Sequence, residues 1–167
     1  ENSDKKKGIT SIDTIELPFF DDFSKLTIYP DQSKWLDKDV FINNTYSTQQ
    51  KTVGIATFDA LDNSGRLYET AISSGFKADQ LTSNPINLNY TAGDNIYFSF
   101  FFEPGGLADE PEPRDSLTLQ FYAPSESKWY SIWRAAGQPV HPFKAVIIPV
   151  DNPRFLKEGF QFRFINY

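Results

Sequence analysis

The chain has 167 residues, with 16 Lys and Arg against 22 Asp and Glu, and contains neither Cys nor Met. That length fits one domain of ordinary size, able to bury roughly 70% of its unfolded surface and fold without staples. The formal charge of −6 argues against nucleic acid, which needs clustered Lys and Arg, and against anionic membrane surfaces; the missing Cys excludes disulfides, thiolate metal sites and Cys nucleophiles.

Taken in chain order, the polar start Glu1–Gly8 and the residues up to 16 read as a flexible stub or linker, with 9–17 as an alternative first strand. A chain without an initiator Met is expected to have been cut from something longer, by export or processing. Residues 17–167 form the expected domain. Aromatic residues make up 16% of the chain, with 16 Phe among them, and such rings suit the pleated surface of strands. Lys38–Ile42 reads as a strand. Val53–Phe58 is apolar enough to be a central one, and Asp59–Gly65 is a loop dense in turn formers. Ala78–Leu88 is a strand region broken at Asn84-Pro85. Asn95–Phe102 is the strongest strand of the chain. Glu103–Arg114 is an acidic, Pro-rich loop. Ser116–Tyr122 alternates with Leu117, Leu119 and Phe121 on one face, and a Ser-Glu-Ser-Lys turn joins it to Trp129–Arg134 as a hairpin. Lys144–Val150 and Gly159–Asn166 complete the set, the last with Phe160, Phe162 and Phe164 inward and Gln161 and Arg163 outward. Pro30–Asp37 and Ala135–Pro142 are places for a helical turn. Eight to ten strands at this spacing predict an all-β sandwich or barrel. No apolar run approaches the roughly 20 residues that cross a bilayer.

Catalytic constellations are sparse. His141 is the single His, flanked by Val140 and Pro142, and one His builds neither a triad nor a metal cluster. Gly-x-Ser-x-Gly, His-Glu-x-x-His and the phosphate-binding Gly-rich loop are absent. Glu110 and Glu112 sit in a Pro-rich loop where neither would be buried enough to act as an acid in glycoside hydrolysis. No enzyme is expected, with a glycoside hydrolase as the residual alternative. Ca²⁺ binds mixed carboxylate and carbonyl oxygens. Asp59, Asp62, Asn63 and Ser64 share one loop, Asp22 precedes Phe23, and Asp115 opens a strand, so Asp22, Asp59, Asp62 and Asp115 are candidate ligands of a structural calcium. The alternative is a plain Asx-capped turn. Trp35, Trp129 and Tyr130 are candidate sugar-stacking residues, weighed against filling the core. By alternation, one of Trp129 and Tyr130 faces inward and the other outward.

Several runs carry a family resemblance: Pro18-Phe-Phe-Asp-Asp-Phe23 with Trp35, Gly54-Ile-Ala-Thr-Phe-Asp59, Ala78-Asp-Gln-Leu-Thr-Ser-Asn-Pro-Ile86, Tyr97–Phe102, Pro104-Gly-Gly-Leu107, Trp129 with Trp133, and Gly159–Tyr167. In order and spacing they resemble the N-terminal, MAM-like region of Bacteroidetes surface proteins exported by type IX secretion and often labelled gliding-motility-associated. The resemblance implies a two-sheet antiparallel jelly roll of the concanavalin A type. It implies a place outside the cell or on the outer-membrane surface of a Gram-negative bacterium, without direct membrane insertion. It implies a non-catalytic adhesion, scaffold or interaction module whose partner is a protein or glycan at the cell surface. A carbohydrate-binding module, or a component or partner of the secretion or gliding machinery, are the alternatives. It also implies a cation near Asp22, Asp59 and Asp115. Thr14, in Asp-Thr-Ile, matches the O-glycosylation pattern of such proteins. The family's Asp-x-Trp-x-x-Asp strand does not follow Tyr167 here, so the sandwich is expected to miss a final strand and to expose an unpaired edge.

Overall fold

The computed structural model describes residues 14–25, 27–72 and 75–167, and they form an all-β protein built of antiparallel ladders. Nine strands appear among the described residues: β1 (Phe41–Asn43), β2 (Ile55–Thr57), β3 (Gln80–Thr82), β4 (Ile86–Asn87), β5 (Tyr97–Phe102), β6 (Ser116–Ala123), β7 (Lys128–Ala136), β8 (Lys144–Pro149) and β9 (Glu158–Asn166). Three short 3₁₀ turns, Glu69–Ile72, Ala92–Asp94 and Pro124–Glu126, interrupt them. Pro30–Asp37 contains a single turn, closed where the Trp35 N–H donates to the Asp31 carbonyl at 2.9 Å, while Ala135 and Ala136 extend β7.

One layer is a five-stranded sheet in which β3, β9, β6 and β7 follow in order and β4 also pairs with β9. β3 and β4 are one edge strand broken at Asn84-Pro85, because proline cannot donate to the ladder. The gap is bridged by Ser83, whose N–H donates to the Phe162 carbonyl at 2.9 Å and whose Oγ accepts from the Phe162 N–H at 3.1 Å. Ile15 bridges Ile86 in parallel at this edge. Residues 9–13 of the expected first strand lie outside the described residues. The β6–β7 hairpin turns over Pro124–Glu126. Its register holds from Ala123↔Lys128 to Gln120↔Ser131, then shifts so that Leu119 faces Trp133. Ile132 is therefore the extra residue of a bulge. The bulge puts both Tyr130, opposite Phe121, and Trp133, opposite Leu119, on the core face.

The second layer consists of two separate antiparallel pairs, β5–β8 and β1–β2. Phe98 and Phe100 of β5 point down onto the first sheet, 4.6 Å from Phe162 and 4.9 Å from Phe164 between ring centroids. Phe121 lies 5.3 Å from Phe98, and Trp133 lies 5.0 Å from Phe100. These contacts are edge-on, an arrangement worth about 0.5–1.5 kcal/mol per pair beyond area burial. With Leu119, Val150, Phe155, Leu156 and Phe160 they make one continuous core, and two sheets packed face to face through such a core are a β-sandwich. β2 was expected to be central on its apolar composition. It pairs with β1 alone.

Candidate functional site

The two halves of the second layer do not meet. Between them lies a cleft of about 810 Å³ lined by β2 and residues 58–60 on one side and by all of β5 on the other. Its floor is made by Ile86, Leu88, Phe160, Phe162 and Phe164, the apolar face of the first sheet. Residues of β1 line none of it, so β1 lies on the far side of β2; toward the opening, the end of β2 is met by the 17–23 segment, where the Gly54 N–H donates to the Asp22 carbonyl at 2.9 Å. The outer face of the β5–β8 pair continues the apolar surface: Tyr97 is 61% exposed, Phe101 51% and Ile147 67%.

β5 also presents unpaired backbone. The Val150 N–H donates to the Ile96 carbonyl at 2.9 Å, and the register runs from Tyr97↔Pro149 to Phe102↔Lys144. Hydrogen-bonded pairs alternate along an antiparallel ladder, so Phe98, Phe100 and Phe102 exchange bonds with β8. The N–H and C=O groups of Tyr97, Ser99 and Phe101 face the other way, into the cleft. Proline at position 149 agrees with this phase, since its donor-free nitrogen points away from β5.

The walls are held by polar contacts. Asp79, with 0% exposure, is the one buried carboxylate of the described residues. It accepts from the Asp59 N–H and from the Tyr68 hydroxyl, each at 2.8 Å. Its backbone carbonyl accepts from the Asn166 N–H, and the Asn166 amide reaches the Asp59 carbonyl at 3.2 Å. This network ties the Asp59–Tyr68 loop to the end of β9. Burial pushes the Asp79 carboxyl up to about 7, against the opposing effect of its hydrogen bonds. The Tyr68 hydroxyl is pushed well above its ordinary range by burial and by the carboxylate it faces. At the other end Gly106, at φ 127°, sits against Tyr46, where an added Cβ would come within 2.7 Å of the ring. The lining carries Asp59, Glu103, Asp109 and Asp115 against a single cation, Lys51; Asp21 also lines it, buried in its pairing with Lys34.

The residues singled out in the sequence fall in different places. Trp35 is a core residue, not a sugar platform: 4% exposed, it stacks at 5.9 Å with Phe23, meets Phe19 and Phe162 edge-on, and donates its indole N–H to Asp21 at 2.7 Å. Trp129 is on the outer face beside Tyr122, with the Arg163 guanidinium 4.1 Å above its ring. Tyr130 is on the core face, packed edge-on against Phe155 and covered by Arg154. Asp22 caps Ser24, whose contacts hold its carboxyl below the ordinary range. Asp62 does the same for Ser64 and Arg66 within its own turn. Asp59 caps Leu61, and Asp115 accepts from the Glu112 N–H. Each of the four carboxylates thus serves its own loop. Among the described residues no three acidic or His side chains converge as a metal site would require. Thr14 is half-buried next to the bridge at Ile15. His141 stands edge-on to Phe102. No helix of the described residues is long and apolar enough to cross a membrane.

Sequence reasoning missed Asp79 and the cleft. The only signals were an acid inside the apolar Ala78–Leu88 run and the apolar character of both faces of 95–102. Compared with protein-family models, curated proteins and solved structures, the chain matches none.

Proposed function

We propose that this sandwich is a non-catalytic interaction module, of the adhesion or scaffold kind, that docks a partner in the apolar cleft between β2 and β5. The carrying observation is the cleft itself: about 810 Å³, floored by aromatic rings and continuous with an exposed apolar face. Clefts of this volume and lining are the usual form of a binding site, and exposed apolar surface beyond scattered single residues marks interaction surfaces. A jelly-roll topology, a cell-surface location after type IX export and a role in gliding remain proposals supported by the motif resemblance.

An apolar fluorophore, 8-anilinonaphthalene-1-sulfonate, titrated into the folded protein tests the reading. Phe101 and Phe20 are exposed rings of the cleft lining; saturable enhancement that Phe101→Glu and Phe20→Glu together weaken, with the melting temperature kept, supports it. Enhancement that never saturates, or that both variants leave unchanged, overturns it.

A glycan reading is favoured by one observation, the Tyr122–Trp129 pair on the outer face with rings 5.1 Å apart and Gln120, Gln161 and Arg163 beside it. A sugar would stack on the ring face that Arg163 leaves open. A glycan array probed with the wild type and Trp129→Ala decides it, since binding independent of Trp129 places the site elsewhere.

A further inference from the structure

We propose that the slot between β5 and β2 takes one extended peptide strand of a partner protein, with apolar side chains at alternate positions and Lys or Arg at its ends. This rests on the reading of the cleft as a docking site and names its occupant.

The main wall of the slot is a strand edge: β5 offers the N–H and C=O groups of Tyr97, Ser99 and Phe101. On β2 the Ile42 N–H turns away to the Ile28 carbonyl, so its partner Ala56 presents its N–H and C=O away from β1, while Gly54 on that side is already bonded to the Asp22 carbonyl. Unpaired edge groups beside apolar surface are a template for strand addition. A hydrocarbon chain or a small apolar ligand would cover the floor but leave these backbone groups unmet. A strand satisfies them at a spacing of roughly 4.8 Å from each neighbour.

The side-chain pattern agrees. A strand in the slot points alternate residues down to Phe162 and Phe164 and up beside Tyr97, Phe101 and Ile147, so both of its faces meet apolar surface. The flanking sequence agrees as well. Residues 97–102 are apolar on both faces, which is the composition of a strand covered on both, yet Tyr97 and Phe101 on the outer face stay exposed. Inserting a strand gives β5 a second neighbour and extends its layer toward β2. The lining sets the charge: Asp59, Glu103, Asp109 and Asp115 face one Lys, so basic ends are favoured and acidic ends repelled.

The test selects from a displayed library of random peptides of about twelve residues on the folded 167-residue protein. Enriched sequences are expected to alternate apolar residues and to carry Lys or Arg at the ends. Synthetic versions are expected to lose binding on backbone N-methylation, which removes donors while keeping every side chain. Ser99→Pro removes one outward donor without touching the bonds to β8, a position where an edge strand tolerates proline. It is expected to weaken binding by about tenfold, the equivalent of one hydrogen bond, whereas Ser99→Ala keeps the donor and the affinity. Failure to enrich alternating peptides, or binding indifferent to N-methylation and to Ser99→Pro, overturns the inference. So does a concentration-dependent dimer lost in Ser99→Pro, which makes a second copy the occupant. Peptide binding that emerges only after deletion of residues 1–13 also overturns it, because the chain's own start then fills the slot. Displacement of the fluorophore by laurate with no effect from any peptide assigns the cleft to a lipid chain. Saturable fluorophore binding without peptide binding leaves the docking site standing and sinks the strand alone; loss of both sinks the docking site itself.

Discussion

The Tyr68 hydroxyl donates to the buried Asp79 carboxylate at 2.8 Å, and through that contact the loop walling one side of the cleft is fastened to the first sheet. The contact places a negative charge where solvent does not reach, which gives stability a pH dependence of unusual sign for an Asp.

Asp79 has its folded-state carboxyl raised to about 7, above the roughly 3.9 of an unfolded Asp. Between those values the folded state binds more protons than the unfolded one, so this group makes stability fall as pH rises and level off above 7. The slope is at most about 1.4 kcal/mol per pH unit. Asp39, raised by burial and by Asp37, adds in the same direction. Urea unfolding of wild type and Asp79→Asn across pH 4.5 to 8 is expected to show the decline in the wild type and a flatter profile in the variant. Parallel profiles would remove Asp79 as the cause.

Gly54 lies under the turn at Phe23, where an added Cβ would stand 2.2 Å from the Phe23 carbonyl oxygen. Phe23 itself is at φ 53°, and the Gly54 N–H donates to the Asp22 carbonyl at 2.9 Å. Neither backbone can retreat without losing that bond. Gly54→Ala is expected to destabilise by about 1–3 kcal/mol. Gly65→Ala, with open space around it, should lose only the positive-φ preference, about 1 kcal/mol. Equal losses at both positions in chemical denaturation would contradict the steric account.

Trp35→Phe keeps the ring stack with Phe23 but strands the Asp21 oxygen that accepts the indole N–H. Asp21 retains Lys34 at 3.3 Å and the Phe23 N–H at 3.0 Å. The expected cost is about 1–3 kcal/mol, read by thermal or urea unfolding. Any glycan binding should survive the change, because Trp35 is sealed in the core. Glycan affinity lost in proportion to the ring edit, with stability kept, would put Trp35 back on a surface.

Calcium at millimolar concentration, or its removal by chelation, is expected to leave the melting temperature unchanged. Asp22, Asp59, Asp62 and Asp115 are each engaged by N–H groups of their own turns, and a ligand that bound only the folded state would raise the midpoint by mass action. A calcium-dependent rise of several degrees would show that these loops rearrange around an ion.

The first sheet was legible where one face alone is buried. Phe160, Phe162 and Phe164 alternate with Gln161 and Arg163, and period two leaves no second solution. The hairpin of β6 and β7 was legible for the same reason, up to Ile132. Beyond the bulge the parity flips, so Trp133 joins Tyr130 on the core face, and no local residue announces that. Trp35 could not be assigned from composition, because its burial depends on Phe19 and Phe162, far apart in the chain. Asp79 was invisible for a related reason: a buried acid needs partners, and these come from Asp59 and Tyr68 on a loop whose sequence reads as turn. The cleft left one trace in the sequence, a run at 95–102 apolar on both faces, whose outer rings Tyr97 and Phe101 stay exposed.

Pro149 gives the second layer a direction. Its donor-free nitrogen blunts the far margin of β8, while the opposite margin of β5 faces a gap already bounded by β2. A sheet open at one side and unbounded grows without limit as copy adds to copy. Here the free margin of β5 looks across a cleft to β2 and the 17–23 segment, not into open solvent. The same exposed backbone that would seed a fibre in another protein is here walled in, so copies cannot add to it without end.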